Sequence, residues 1–220
     1  MTSIKYGSAP EIIGKPRVGL PYNDSKYYLY LPIKMAGESY FRVPEELQAF
    51  EMIIAMAVNA ERRRKVCLDE LYVYVSLETS PLKTGIYQKR PGWHADGFLT
   101  DDVNYVWYDA LPTEFCIQDF TIDQCHNISM LQFEDQAKEE NIVTYEPFQL
   151  IRMDQRHVHR TALPTVNMHS RTFLKISFSK HKYNLKGNSI NTLFNYDWKM
   201  YDRQEVRNCP ISKESDFVKE

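Results

Sequence analysis

The 220-residue sequence has few cysteines, no long apolar run and no excess of charge of one sign. Its four cysteines, Cys67, Cys116, Cys125 and Cys209, form no CxxC pair, so we interpret them as ordinary thiols rather than as a zinc site. The net charge is −2 and the pI is near 6.3, which lends no support to a nucleic-acid-binding protein. No stretch approaches the length of a membrane span, and the opening residues contain no apolar signal core. We therefore expect no membrane association and a reducing, cytoplasmic compartment.

A helical pattern stands out between residues 44 and 65. Pro44 suits a first helical turn, and the two glutamates after it suit the positive end of a helix. Apolar residues then recur at helical spacing, at Leu47, Phe50, Ile54 and Ala57. The cations of segment 61–65 suit the negative end, and we expect them to be solvated. The pattern predicts one amphipathic helix.

Short strand-like runs make up most of the rest of the chain. They span residues 26–34, 70–77, 103–108, 113–120, 147–153 and 171–178, and two short helices are predicted around 133–140 and 193–201. Pro32 either restricts the first strand to a sheet edge or ends it. This order favours a mainly β fold with bracing helices, a double-stranded β-helix or jelly roll. We predict a single domain, 1–220, with a lead-in, edge strand and bracing helix (1–69), a jelly-roll core (70–180) and a C-terminal tail (181–220).

The segment Pro-Gly-Trp-His-Ala-Asp-Gly-Phe at residues 91–98 contains the most informative pattern. His94 and Asp96 are two residues apart, so on an extended chain both side chains point to the same face. His159 follows much later, behind another strand. Two imidazoles and one carboxylate can occupy one face of an iron(II) ion and leave its other positions open. His157 competes with His159 as the second imidazole, and because one residue separates the two, strand parity does not choose between them.

The last predicted strand alternates between two kinds of side chain. Leu174, Ile176 and Phe178 form an apolar face, whereas Arg171, Phe173, Lys175 and Ser177 form the opposite face, which we expect to line the barrel interior. A guanidinium fork matches a carboxylate well, and a buried lysine needs an anionic partner. Arg171 is the leading candidate for holding an anion, and Lys175 is the alternative.

These residues resemble the signature of the iron(II)- and 2-oxoglutarate-dependent dioxygenases, namely HxD or HxE, a distal histidine, and an arginine or lysine about a dozen residues later. The resemblance implies iron(II) held by His94, Asp96 and His159, with 2-oxoglutarate chelating the metal and pairing with Arg171. O₂ would be the second co-substrate, succinate and CO₂ the co-products, and hydroxylation the usual outcome. Position 173 is Phe where some members carry the serine of R-x-S. Ser177 or a tyrosine, Tyr105, is then the candidate to assist Arg171.

Two other functions fit the same residues. A cupin-like metalloenzyme that does not use 2-oxoglutarate would need the metal ligands but would have no evident use for Arg171. A non-enzymatic jelly-roll protein, in a binding or structural role, would make the HxD pair fortuitous. The compact, weakly acidic chain favours a small-molecule or peptide substrate, while nucleotides and nucleic acid stay open. Arg90 is a candidate contact for an anionic substrate, and Tyr105, Trp93 and Trp107 are candidates for the pocket wall, although core packing suits each of these rings better.

Overall fold

A computed structural model describes residues 4–19, 25–88 and 91–203. Nine strands are seen in that part of the chain: β1 (Glu11–Gly14), β2 (Tyr27–Lys34), β3 (Tyr72–Leu82), β4 (Val103–Tyr108), β5 (Thr113–Cys116), β6 (Ile142–Thr144), β7 (Leu150–Asp154), β8 (His159–Thr161) and β9 (Met168–Ser179). Two α-helices, α1 (Glu51–Arg63) and α2 (His126–Gln136), and three short 3₁₀ helices (Glu45–Phe50, Leu68–Glu70 and Glu139–Asn141) complete the described elements.

The strands form two antiparallel sheets. The large sheet has the order β1-β7-β4-β9-β3-β2, and the small sheet has the order β6-β5-β8. Long β3 and β9 pair over most of their length, from Tyr72 opposite Ser179 to Leu82 opposite Met168. Two facing antiparallel sheets of this kind, with crossovers between non-consecutive strands, are a jelly roll. The predicted fold class is confirmed.

Helix α1 covers the outer face of the large sheet. Its apolar stripe, together with that of the preceding 3₁₀ turn, packs against Leu174, Ile176 and Phe178 of β9 in the largest core cluster. Leu47, Phe50, Ile54 and Ala57 are all buried, as their spacing predicts. The apolar alternation along β9 therefore faces the helix, and the polar alternation is left for the space between the two sheets.

Several predicted elements are confirmed closely, and others needed correction. Strand β4 has the predicted limits, and β2 lies at a sheet edge, as Pro32 requires. The first helix is divided, because Pro44 precedes a 3₁₀ turn and α-helical bonding starts at Glu51. The helix predicted at 133–140 begins earlier, at His126. Strands β1, β6 and β8 lie outside the predicted strand runs.

The tail does not form the helix predicted at 193–201. Its backbone instead pairs with an earlier part of the tail: Lys186 N–H donates to Tyr201 O, and Tyr201 N–H donates to Asn184 O. The Asn191 side chain also donates to the carbonyls of Pro32 and Arg42, which fixes the tail to β2 and its following loop. These tertiary hydrogen bonds replace the local bonds of a helix.

The cysteines and the helices also bear on the predictions made from composition. Cys67, Cys116 and Cys125 are free thiols, and Cys209 lies outside the described residues. Among the described helices, none has the length and apolar character needed to cross a bilayer.

Candidate metal centre and its pocket

The two histidines of the candidate site lie directly opposite each other. His94 N–H donates to His159 O at 3.0 Å, and His159 N–H donates to His94 O at 2.9 Å. Residues that exchange both backbone hydrogen bonds in an antiparallel pair project their side chains to the same face. The ring centroids are accordingly 4.5 Å apart. This bridge brings together two residues that are far apart in the sequence.

The orientation of both imidazole rings is fixed by backbone carbonyls. His94 Nδ1 lies 3.0 Å from Gly92 O, and His159 Nδ1 lies 2.9 Å from His157 O. A carbonyl can only accept a hydrogen bond, so Nδ1 carries the proton, and each ring is held in the tautomer that leaves the Nε2 lone pair free. Burial, reinforced by the neighbouring His94, also lowers the pKa of His159 to about 4. Both features suit metal ligation.

Asp96 reaches the same face by a turn rather than by a strand. The chain leaves the bridge at His94 and turns at residues 96–99, where Gly97 has φ +70°. A Cβ at Gly97 would lie 3.0 Å from Asp102 Cβ, so this turn favours glycine in both conformation and space. The strand alternation that we predicted for His94 and Asp96 is therefore the wrong reason for a juxtaposition that the structure does contain.

His94, Asp96 and His159 form a compact donor set. His94 Nε2 lies 3.9 Å from Asp96 Oδ1, His159 Nε2 lies 4.0 Å from Asp96 Oδ2, and one donor atom of each residue lies within 4.8 Å of the others. Donors at right angles around an ion about 2.1 Å away would lie about 3 Å apart, so a modest contraction is enough to close the set on an ion. Two imidazoles and one carboxylate are also the ligand types of a facial site for a divalent transition metal. These residues can bind a metal ion.

Asp96 is also held by a lysine of β9. Lys175 Nζ donates to Asp96 Oδ2 at 2.9 Å and to the Tyr30 hydroxyl at 3.2 Å. Burial would raise the pKa of Asp96, but Lys175 and the two histidines outweigh it and hold the pKa well below the usual range. Burial would likewise lower the pKa of Lys175, but Asp96 and Tyr30 raise it above the usual range. The pair is therefore ionised across the physiological pH range.

A cavity of about 280 Å³ opens beside this donor set. It is lined from the large sheet by residues including Tyr30, Arg171, Phe173 and Lys175. Opposite them, the lining includes Thr113 and Arg160 from the small sheet and His126 and Met130 from α2. The metal-ligand candidates and both candidate cations of β9 thus line one cavity, as the alternation along that strand predicts.

Arg171 is buried in the cavity wall, with 2% of its surface exposed. Its Nε donates to the carbonyls of Ala110 and Leu111, its Nη1 donates to Gln88 Oε1, and its guanidinium lies over the Phe173 ring at 5.2 Å. Among the described residues these hydrogen-bond partners are neutral, and none is a carboxylate. Burial lowers the pKa of Arg171 to about 10. The Asp109 carboxylate partly opposes this effect of burial, but it accepts from Thr172 N–H and is not among the hydrogen-bond partners of Arg171 given above. A buried cation whose direct partners are neutral favours an anionic ligand.

Two residues suggested as assistants to Arg171 lie elsewhere. Tyr105 is on the helix-covered face of β4, opposite Ile176, and its hydroxyl donates to Glu61 Oε1 of α1. Ser177 faces the interior but is 1% exposed, and its hydroxyl donates to Asn104 Oδ1 at 2.6 Å. Neither lines the cavity, so the structure corrects both assignments.

The other candidates have structural partners or lie outside the description. His157 Nδ1 lies 3.0 Å from Asp154 Oδ1, and the donor set contains His159 in its place. Trp93 and Trp107 are buried in core clusters, as the core interpretation predicts. Arg90 lies outside the described residues.

The sequence did not point to Tyr30 or Gln88 as site residues. Tyr30 lies in a bulge of β2, with φ +46° and its backbone N–H bonded to Ser76 Oγ. A bulge shifts the in–out alternation of a strand, so the spacing of apolar residues could not place this ring in the cavity. Gln88 lies in an irregular loop and contacts Arg171, which is far from it in the sequence. No local sequence pattern predicts such a contact.

Comparison with known proteins gave matches in structure alone. No protein-family model matches the chain, and no curated protein matches its sequence. The structure of EvdO2 from Micromonospora carbonacea var. aurantiaca overlaps 59% of this chain and 64% of its own, less than two thirds, with 13% identity and a TM-score of 0.36. The structure of EvdO2 complexed with 2-oxoglutarate overlaps 74% of this chain and 76% of its own, with 14% identity and a TM-score of 0.37. We infer function from this chain's own residues rather than from these overlaps.

Proposed function

We propose that this protein is a non-haem iron(II)- and 2-oxoglutarate-dependent oxygenase that hydroxylates its substrate and releases succinate and CO₂. The observation that carries the proposal is the content of one cavity: a His-His-Asp donor set together with a buried guanidinium whose described hydrogen-bond partners are neutral. The first can hold a metal, and the second favours an anionic ligand. A dicarboxylate co-substrate satisfies both, with one end at the metal and the other at Arg171.

In this proposal His94, Asp96 and His159 hold the iron. Iron(II) bound there would supply the activation of O₂ and of the 2-oxo acid, chemistry that side chains cannot perform. The protein's part is orientation. The carbonyls of Gly92 and His157 keep both Nε2 atoms unprotonated and directed at the metal position, and Lys175 restrains the Asp96 carboxylate.

Arg171 is the proposed anchor for the distal carboxylate of 2-oxoglutarate. Lys175 is the weaker candidate, because its ammonium is already used by Asp96 and Tyr30. On an extended strand, four residues separate the two Cα atoms by about 13 Å. Since Lys175 touches the donor set, this spacing supports Arg171 as the cation farther along the wall, which a co-substrate extending from the metal would reach.

The substrate and setting are part of the proposal as well. A small molecule or a peptide side chain suits a cavity of this size, with the nucleotide and nucleic-acid alternatives still to be separated by assay. A reducing cytoplasm would keep both the iron ferrous and the cysteines free.

The decisive experiment is an anaerobic visible spectrum of the protein with iron(II), before and after 2-oxoglutarate is added. We expect a weak metal-to-ligand charge-transfer band that needs both additions. His94→Ala and Asp96→Ala should abolish the band and iron-dependent succinate formation. His157→Gln is the matched control, because this histidine is bonded to Asp154 outside the donor set, and it should retain both.

Arg171→Ala separates the co-substrate from the metal. It should bind iron(II) as the unmodified protein does but should need a much higher 2-oxoglutarate concentration for the band. An unchanged requirement would make Lys175 the better anchor. Iron binding without any response to 2-oxoglutarate would favour the cupin-like alternative, and absence of specific iron binding would favour a non-enzymatic jelly roll.

A further inference from the structure

Aromatic side chains form a continuous column from the cavity to the surface. Tyr30 and Tyr183 are stacked with their centroids 4.1 Å apart and their planes at 6°, and both line the cavity. Tyr74 packs edge-on against Tyr183 at 5.2 Å. Tyr72 follows Tyr74 at 5.8 Å, and Trp198 follows Tyr72 at 5.6 Å. We call these five rings the aromatic column.

The column crosses three separate parts of the chain. Tyr72 and Tyr74 are two residues apart on β3 and so share the face opposite α1, Tyr30 comes from the bulge of β2, and Tyr183 and Trp198 come from the tail. Tyr30 and Tyr183 are buried, whereas Trp198 is partly exposed. The column therefore has an inner end beside the candidate metal centre and an outer end in contact with solvent.

A buried carboxylate lies against the inner end. The Tyr183 hydroxyl donates to Asp102 Oδ2 at 2.5 Å, and Asp102 is 1% exposed. Stacked rings are ordinary core packing, but packing alone does not call for a carboxylate, which is costly to bury. A phenol bonded to a carboxylate can lose an electron and a proton together, because the carboxylate accepts the proton as the electron leaves. Tyr183 has this arrangement, whereas the Tyr74 hydroxyl donates to a carbonyl, His181 O.

We propose that the aromatic column conducts single electrons between Trp198 at the surface and Tyr183 beside the cavity, so that an oxidant formed in the cavity without substrate is quenched from outside. The source of that oxidant, O₂ reduced at the metal, rests on the proposed function. Conduction along the column does not, since it depends on the ring contacts and on the Tyr183–Asp102 pair.

The proposed transfer conserves electrons and protons at each end of the column. One electron passes from Tyr183 to the oxygen-derived oxidant, and the phenolic proton passes to Asp102 Oδ2, leaving a neutral tyrosyl radical and a neutral carboxylic acid. A solvent reductant, such as ascorbate or a thiol, then gives one electron at Trp198. That electron reaches Tyr183 through Tyr72 and Tyr74, and the proton returns from Asp102. The oxidant has gained one electron and the reductant has lost one.

The test runs the column in the opposite direction and needs neither iron nor O₂. The full-length protein, loaded with redox-inert zinc(II), is exposed to azide radicals produced by pulse radiolysis, which take an electron from accessible tryptophan. Trp198 is the accessible one, because Trp93 and Trp107 are 2% and 0% exposed. We expect the tryptophanyl radical to decay as tyrosyl radical forms, in a first-order phase independent of protein concentration.

Variants assign this phase to the column. Trp198 also packs on Tyr196, with the ring centroids 4.7 Å apart, so these variants are made in a Tyr196→Phe background. There, Tyr72→Leu removes the ring between Trp198 and Tyr74 and should abolish the first-order phase. Tyr72→Phe keeps the packing but is far harder to oxidise, so it should slow the phase, and it replaces the leucine variant if that variant does not fold. Tyr145→Leu is the matched control, a half-buried ring packed on Phe115 away from the column, and should leave the phase unchanged. Tyr183→Phe should lower the final yield of tyrosyl radical.

An unaltered phase in both Tyr72 variants would overturn the proposal, as would a phase whose rate rises with protein concentration. In the iron-loaded protein with 2-oxoglutarate and O₂ but no substrate, electron paramagnetic resonance should detect a tyrosyl radical that Tyr183→Phe removes. Oxygen consumption is measured in the same iron-loaded sample. If the zinc experiment gives the first-order phase but the iron-loaded sample consumes no oxygen, the proposed function fails and the column stands. If oxygen is consumed but the zinc experiment fails, the column fails and the function stands.

Discussion

The two faces of the large sheet carry the same three kinds of group in two different arrangements. On the helix-covered face, the Glu61 carboxylate accepts from both Arg152 Nε, at 2.7 Å, and the Tyr105 hydroxyl, at 2.5 Å. On the cavity face, Lys175 donates to both the Asp96 carboxylate and the Tyr30 hydroxyl. We call these the helix-side trio and the cavity-side trio. In the first the carboxylate is the hub, and in the second the cation is the hub.

This difference decides what each carboxylate can still bind. Two donors converge on one oxygen of Glu61, and its side chain is 1% exposed, so the trio joins α1 to β4 and β7 and nothing else can approach. Asp96 receives one donor from its trio, is 24% exposed and faces two imidazoles. The same three kinds of group thus form a structural link on one face and include a candidate metal ligand on the other. The difference lies in the exposure of the carboxylate and in the two imidazoles beside Asp96.

The largest expected effect on stability comes from breaking the helix-side trio. Glu61→Ala leaves Arg152 and Tyr105 without their shared buried acceptor, and removing one partner of a buried pair costs about 3 kcal/mol or more. We expect the free energy of unfolding, measured by urea denaturation, to fall by this amount. Metal affinity, measured by anaerobic calorimetry on the folded fraction, should be retained. Loss of metal binding with unchanged stability would reverse the roles that we assign to the two faces.

Asp96→Asn is the counterpart on the cavity face. The amide oxygen can still accept from Lys175, but the buried ammonium loses its anionic partner, so the free energy of unfolding should fall by about 2 kcal/mol, less than in Glu61→Ala. Metal affinity should fall by more than about 100-fold, because losing even a neighbour of a ligand costs 10- to 100-fold. The same calorimetry and denaturation experiments check both numbers, and a variant that kept its metal affinity would remove Asp96 from the donor set.

The stability of the metal-free protein should fall in acid because of His159, which lines the cavity from the small sheet. Burial lowers the pKa of His159 to about 4, so the unfolded chain binds this proton more readily than the folded protein does. The contribution of His159 to stability is then complete above pH 6.5 and is lost as the pH falls towards 4. Urea denaturation of the metal-free protein at several pH values should show this decline, and His159→Gln should flatten it. A decline of equal size in His159→Gln would assign the acid sensitivity to other groups.

The smallest effects are expected from the two tyrosine hydroxyls. Tyr105→Phe and Tyr30→Phe each remove one hydrogen bond, worth about 1 kcal/mol, from the helix-side and cavity-side trios respectively. Both should lower the denaturation midpoint slightly, while metal affinity stays within severalfold of the unmodified protein in each. A large loss of metal affinity in Tyr30→Phe would show that the tyrosine, and not Lys175 alone, restrains Asp96.

What could be predicted from the sequence is what local periodicity encodes. The alternation on β9 correctly separated the helix-facing residues Leu174, Ile176 and Phe178 from the cavity-facing Arg171 and Lys175. The stripe of the first helix was predicted in the same way. The three members of the donor set were found by ligand type and order, since a facial site needs two imidazoles and a carboxylate.

The rest depended on contacts that periodicity does not record. The sequence correctly predicts the strand that contains Tyr105, but it does not show which face of that strand meets α1. That face is decided by the pairing of β4 with β9, and it directs Tyr105 away from the site. Tyr30 was missed because a bulge reverses the alternation locally. The tail was predicted as a helix because nothing in its own sequence shows that Asn191 is bound to the carbonyls of Pro32 and Arg42.

The double hydrogen bond between His94 and His159 has a consequence for the order in which the protein is made. The two residues belong to distant segments, and closing such a long loop is slow because its entropy must be lost before the contact is gained. The donor set therefore cannot exist in a partly synthesised or partly folded chain, which would lack β8. Under the proposed function, metal binding would then be a late event that follows completion of the jelly roll. An unfinished chain would be unable to hold a reactive metal before the cavity walls are in place.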